Sequence, residues 1–189
     1  MKKLVLMVLV MAVALLGIAG AEQAQDAAGW LSGRSFEFSS GVGAWATEIT
    51  FAEDGAFTGV FHDSEMGEDG EGYPNGTVYI CRFHGQLSGA EQVDSVTWRL
   101  TVTALEAEEA VDAETIEDGI RYVTAEPYGL AEGDTILLMM AGTPVEGQPE
   151  DFYFWTHLME TDPEAAVLPW AVLWNETEST GFVETPAAE

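Results

Sequence analysis

The chain has 189 residues, 33 of them acidic against six basic, and a formal net charge of −27. That balance excludes nucleic acid and anionic membrane surfaces as partners, because both are held through a basic footprint. The single cysteine, Cys81, excludes an intramolecular disulfide, so stability has to come from packing.

Lys2 and Lys3 precede an apolar run from Leu4 to Gly20, and Ala19-Gly20-Ala21 is a small-residue cleavage site. Residues 1–21 therefore read as a signal peptide whose removal leaves Glu22 first, with no membrane insertion of the released chain. Both lysines leave with it, so Arg34, Arg82, Arg99 and Arg121 remain against all 33 acids. The expected location is secreted, extracellular or in the cell envelope. Residues 22–184 are expected to form one domain and 185–189 a disordered tail.

From Ser35 to His84, apolar runs with alternation are separated by turn signals at Asp54-Gly55 and Tyr73-Pro74-Asn75-Gly76, the pattern of an antiparallel meander. Placing Trp45, Thr47, Ile49 and Phe51 on one face, and Phe57, Gly59 and Phe61 on one face, sets Phe51 opposite Phe57. Glu53-Asp54-Gly55 is then a three-residue loop with Gly55 at positive φ. Asp63 to Gly76 reads as a long acidic loop. Val96 to Leu105 alternates cleanly and predicts a strand with one face buried. Glu106 to Asp118 holds seven acids among alanines and predicts a short exposed helix or a disordered insertion. Ile120 to Thr124 resumes as strand, with Pro127-Tyr128-Gly129 as punctuation after it. The unbroken apolar run in Thr135 to Ala141 fits a strand covered on both sides, and Phe152 to Leu158 and Val167 to Asn175 predict two more strands. Eight or nine short strands without βαβ alternation predict an all-β fold: an antiparallel meander closing into a small barrel, or a curved sandwich, with one short acidic helical insertion.

Gly43-Ala44-Trp45 resembles the Gly-x-Trp opening of the calycins, the lipocalin-like small barrels, which implies a barrel of that kind. The segments Phe38 to Trp45, Phe61 to Gly67, Tyr73 to Thr77 and Glu126 to Leu130 are similar to uncharacterised secreted proteins and lipoproteins of Gram-positive bacteria. That resemblance implies an extracellular or envelope location and no particular reaction.

Chemistry is sparse in the pattern. His62 and His84 are expected at opposite ends of the sheet, about 20 Å apart, with no partner at zinc-ligand spacing. Asp63, Glu65 and Asp69 are the candidate metal ligands, with calcium the cofactor they would suit, because glycines between carboxylates let a loop fold around a hard cation. No nucleophile elbow or phosphate-cradling loop is present, so no catalytic residue is named and the chain is read as non-enzymatic. Six Trp, nine Phe and five Tyr could line an apolar cavity. Trp45, Tyr79 and Trp98 are its candidate ligand-binding residues. The sequence thus points to a secreted binding module for an apolar or aromatic small ligand or an envelope partner. Its alternative is an acidic interaction protein with a solid core, whose loops bind divalent cations or a basic protein.

Overall fold

The computed structural model describes residues 27–41 and 43–186; the signal peptide read at residues 1–21 and the last three residues of the tail lie outside the described residues. A helical turn, α1, covers residues 27–31. It is followed by β1 (Ser35–Ser39), β2 (Trp45–Phe51), β3 (Ala56–Glu65), β4 (Thr77–Gln92), β5 (Thr97–Ala107), β6 (Glu114–Glu117), β7 (Ile120–Thr124) and β8 (Thr135–Met139). The short helices α2 (Glu150–Trp155) and α3 (Leu158–Thr161) precede β9 (Val172–Asn175) and β10 (Thr180–Thr185).

Eight of the ten strands close on themselves. Each of β1, β2, β3, β4, β5, β8, β9 and β10 pairs antiparallel with the next, and β10 returns to β1. The result is an up-and-down barrel, which leaves its eight strands no open edge. The sixteen-residue β4 has room for three partners. One of its edges pairs with β3; the other pairs with β7 along Thr77–Ile80, in parallel, and with β5 from Phe83 onward. The β6–β7 hairpin is thereby hung on the outside of the barrel.

The first hairpin has the register its faces demand, with Phe51 opposite Phe57 and Gly55 at φ 77°. Inward rows run across the strands, one through Phe36, Ile49, Gly59 and Phe83, another through Phe38, Thr47, Phe61 and Cys81. In each row small residues stand beside large ones. A Cβ on Gly59 would fall inside the ring of Phe83, and one on Gly85 inside the ring of Phe57. Five phenylalanines of the barrel, Phe36, Phe38, Phe51, Phe83 and Phe182, are each less than 2% exposed. The interior is a packed core, as expected for a barrel of eight strands.

A second apolar cluster lies on the outside. Leu137 and Met139 of β8 and Val172 and Trp174 of β9 point away from the interior and are covered by Phe152, Leu158 and Leu168. This is why β8 is apolar on both faces: one face enters the barrel and the other meets the helices.

Two segments depart from the expected elements. Glu106 to Asp118 is neither helix nor disordered: β5 runs on to Ala107, and Glu114–Glu117 is β6. Asp118 (φ 51°) and Gly119 (φ 78°) form the two-residue turn that folds it back onto β7, with Glu117 opposite Ile120. Local pairing through an Asp-Gly turn overrides the helix propensity of the acids. Phe152 to Leu158 is not a strand: Pro149, with Glu150 and Asp151 in the first turn, starts α2, and Phe152 is buried against the outer sheet face. Smaller shifts follow. β3 includes Asp63 and Glu65, Thr185 is the last residue of β10, and His62 and His84 are offset by four residues of register, about 13 Å.

Candidate functional site

The barrel has two ends. At its base, where β2 ends and β3 begins, α1 closes the interior with Ala27 and Leu31, both buried. Arg34 locks this closure by donating from Nε to the Trp30 carbonyl (2.8 Å), lying over the Trp30 ring (3.8 Å) and pairing with Glu184.

The opposite end, the mouth, is closed by the loop of residues 125–134. Tyr128 comes down over the core, stacked on Phe38 (5.5 Å between centroids) and in contact with Trp45 (5.3 Å) and Phe61 (5.4 Å). Polar groups deep in the barrel hold this loop. Thr47, fully buried, donates to the Tyr128 carbonyl (2.8 Å), and Asn175, also fully buried, donates from Nδ2 to the Gly129 carbonyl (3.0 Å) and to Asp134 Oδ2 (2.7 Å). Asn175 Oδ1 accepts from the backbone N–H groups of Thr177 and Glu178 in the β9–β10 turn. Asp134, 3% exposed, also accepts from the Ala131 N–H (2.7 Å). All four hydrogen-bonding positions of the Asn175 amide are used, so one side chain ties the plug loop, the start of β8 and the β9–β10 turn into a unit. Gly129, at φ 87°, admits no side chain there: a Cβ would stand 2.6 Å from Phe38.

Beside the plug lies a cleft of about 550 Å³, lined by Glu126, Pro127, Tyr128, Asp151, Trp155 and Glu178 with the adjoining backbone. Tyr128 is 49% exposed in it. Trp155 of α2 reaches over the barrel rim, with Phe38 at 5.0 Å and Trp45 at 6.1 Å. Among the described residues the lining contains three carboxylates and no basic side chain. A larger groove of about 670 Å³ runs along the outside of β1 and β10, but its Arg34 and Glu184 neutralise each other.

The candidate ligand residues divide between the ends. Trp45 and Tyr79 flank Asp63 in one cross-strand row at the mouth, whereas Trp98 lies opposite Gln92 and Leu138 near the base. All three pack partly buried against the core. They line no common cavity, because protein side chains occupy the space between them.

The candidate metal ligands are likewise separated. Asp63 belongs to the mouth row, Glu65 ends β3, and Asp69 is exposed in the following loop. Among the described residues no three His, Cys, Asp or Glu side chains come together as a metal site. The acid that organises this loop is Glu68, which accepts from Tyr79 Oη (2.8 Å) and from Arg121 Nη2 (3.3 Å). Arg121 also lies over the Tyr73 ring (4.8 Å) and donates to Thr77 Oγ1 (3.1 Å). The cation this loop surrounds is a guanidinium of the chain itself. The hydrogen bond to Glu68, and next to it burial, raise the Tyr79 phenol above its ordinary pKa of 10.0.

Sequence reasoning missed Tyr128, Trp155, Asn175 and Asp134. Tyr128 was visible only as part of a Pro-Tyr-Gly turn, and Asn175 and Asp134 meet across 41 residues. Asn175 also begins an Asn-Glu-Thr glycan-acceptor triplet, but a fully buried amide whose hydrogen bonds are all taken is closed to modification.

Compared with known proteins, the chain matches no family model, no curated protein and no solved structure.

Proposed function

We propose that this chain is a secreted, non-enzymatic β-barrel that binds its ligand on the rim of the mouth and not inside the barrel. One observation carries the reading: Tyr128, half exposed in a concave site, is held by a fully satisfied buried polar network above an interior already filled with protein. A large amphipathic ring held still in advance binds at low entropic cost, and a cleft of about 550 Å³ is of small-ligand size. The leading ligand class is a small molecule with an aromatic or apolar group, free or presented by an envelope partner.

Fragment titration followed by the indole N–H resonances of the isotope-labelled protein tests this. Fragments that bind are expected to move the signals of Trp45 and Trp155 and leave Trp98 unchanged. Binding that moves Trp98 instead, or no binding by any aromatic fragment, overturns the rim site. Secretion is tested separately by expressing the complete chain in a bacterial host and sequencing the exported protein, expected to begin at Glu22.

The filled interior and the charge also favour the second reading, an acidic interaction protein with a solid core. A basic protein partner covering the acidic loops with no contact at Tyr128 would establish it over the rim site. Such a footprint is read by protection of backbone amides from hydrogen exchange.

A further inference from the structure

Resting on the rim site just proposed, we infer that the cleft selects an organic cation: an ammonium or guanidinium group carried on an apolar stem. Its three carboxylates come from three different elements, Glu126 from the plug loop, Asp151 from α2 and Glu178 from the β9–β10 turn. They converge on one cleft, and among the described residues none of them takes part in an ion pair. Arg34, Arg99 and Arg121 are engaged elsewhere, with Glu184, with Glu91 and Glu176, and with Glu68 and Glu114.

Acids alone would be solvated surface. What distinguishes this group is the aromatic wall they surround. Tyr128 rests one ring face on Phe38 and is still 49% exposed, and Trp155 stands beside it. The negative face of an aromatic ring attracts a cation, and nearby carboxylates add to that attraction without competing for the same ring surface. An anion would meet three carboxylates here and a chain of net charge −27 behind them. The apolar stem follows from the walls: Pro127, Tyr128, Leu130 and Trp155 give it surface to cover. The site is also fixed in advance, because Thr47 and Asn175 hold the successive carbonyls of Tyr128 and Gly129.

Three probes that share a phenylethyl group separate charge from the apolar stem: 2-phenylethylamine, 2-phenylethanol and 3-phenylpropionate, each titrated into the full secreted protein at low salt. The amine is expected to bind most tightly and the carboxylate most weakly, with the amine's advantage shrinking as salt is raised. Asp151→Asn and Glu178→Gln, both at exposed positions that leave the fold intact, are each expected to weaken the amine about two- to fivefold and leave the alcohol unchanged. Tyr128→Leu keeps an apolar plug and is expected to cost the amine a similar factor.

Equal binding of amine and alcohol at the Trp155 signal overturns the cation and leaves the rim site standing. Absence of binding by all three probes overturns both. A parallel arm with an acetylated Leu-Lys-Leu peptide distinguishes the source of the cation. Binding tighter than that of the free amine assigns the site to a lysine side chain of a partner, and weaker binding assigns it to a small amine.

Discussion

The two ends of the barrel are closed by opposite means. The base is sealed by apolar packing: Leu31 is fully buried, and Arg34 braces the turn after it from outside. The mouth is sealed by hydrogen bonds: Thr47, Asp134 and Asn175 hold a loop by its backbone, so the ring that plugs the core needs only one side in it. A plug held by its side chain disappears into the protein. One held by its backbone leaves its side chain free to meet a ligand, and for that reason the mouth is the end that can carry a function.

Leu31→Ala is expected to have the largest effect, a loss of about 2–5 kcal/mol in urea unfolding, because a fully enclosed leucine leaves a cavity that its neighbours cannot fill. The rim site should survive it, with Trp155 still reporting probe binding in the folded fraction. If this loss comes with loss of probe binding in folded protein, the two ends are not independent.

Asn175→Ala breaks the other closure and is expected to cost about 1–3 kcal/mol, since it leaves the Gly129 carbonyl with only Thr180 Oγ1 at 3.4 Å and the buried Asp134 carboxylate with only the Ala131 N–H. Here probe binding should fall more than stability does, the reverse of the outcome at Leu31. Hydrogen exchange of residues 126–131 should speed up while that of β1 and β2 stays slow.

The body of the barrel was the legible part of the molecule, whereas the α1 closure of its base was not. Alternation in β2 and β3 demanded Phe51 opposite Phe57, and the unbroken apolar run of β8 demanded two covered faces, because each is a local pattern read against a fixed strand period. The mouth was not legible. Its plug depends on contacts between Thr47 and Tyr128, 81 residues apart, and between Asn175 and Gly129, 46 apart, and neither leaves a periodic trace. The two misread elements failed for a related reason. The acids of β6 and the aromatics of α2 have propensities that oppose their final state, and pairing with β7 and burial on β8–β9 decide it instead.

A smaller effect is expected at the acidic loop after β3, on the mouth side. Arg121→Gln removes the guanidinium from Glu68, Glu114 and the Tyr73 ring, and about 1 kcal/mol or less should be lost, because these partners are largely exposed. Calcium at millimolar concentration should then stabilise the variant more than the parent, as the carboxylates Glu68 and Glu114 lose their internal cation. Thermal unfolding with calcium and with magnesium reads this, and equal shifts in both proteins would refute Arg121's role as the loop's own counter-ion.

An effect silent at neutral pH is expected from between the two ends. Cys81 lies in the row of Phe38, Thr47 and Phe61, and burial, followed by the charges of Glu109, Glu108 and Glu126, pushes its thiol from 9.0 up to about 11. A thiol raised in the folded state keeps its proton where the unfolded chain has lost it. Its contribution is therefore fully present below pH 9 and is lost as the pH rises from 9 to 11. Unfolding free energies of the parent should fall more steeply across that window than those of Cys81→Ala, whose remaining slope includes that of Tyr79. Because Cys81 stands nearer the mouth, Asn175→Ala should make this decline smaller and end it at a lower pH, with its onset near 9 unchanged, by letting water reach the sulfur, while Leu31→Ala should leave it as it is; the opposite pattern would mean that the base is the leakier closure.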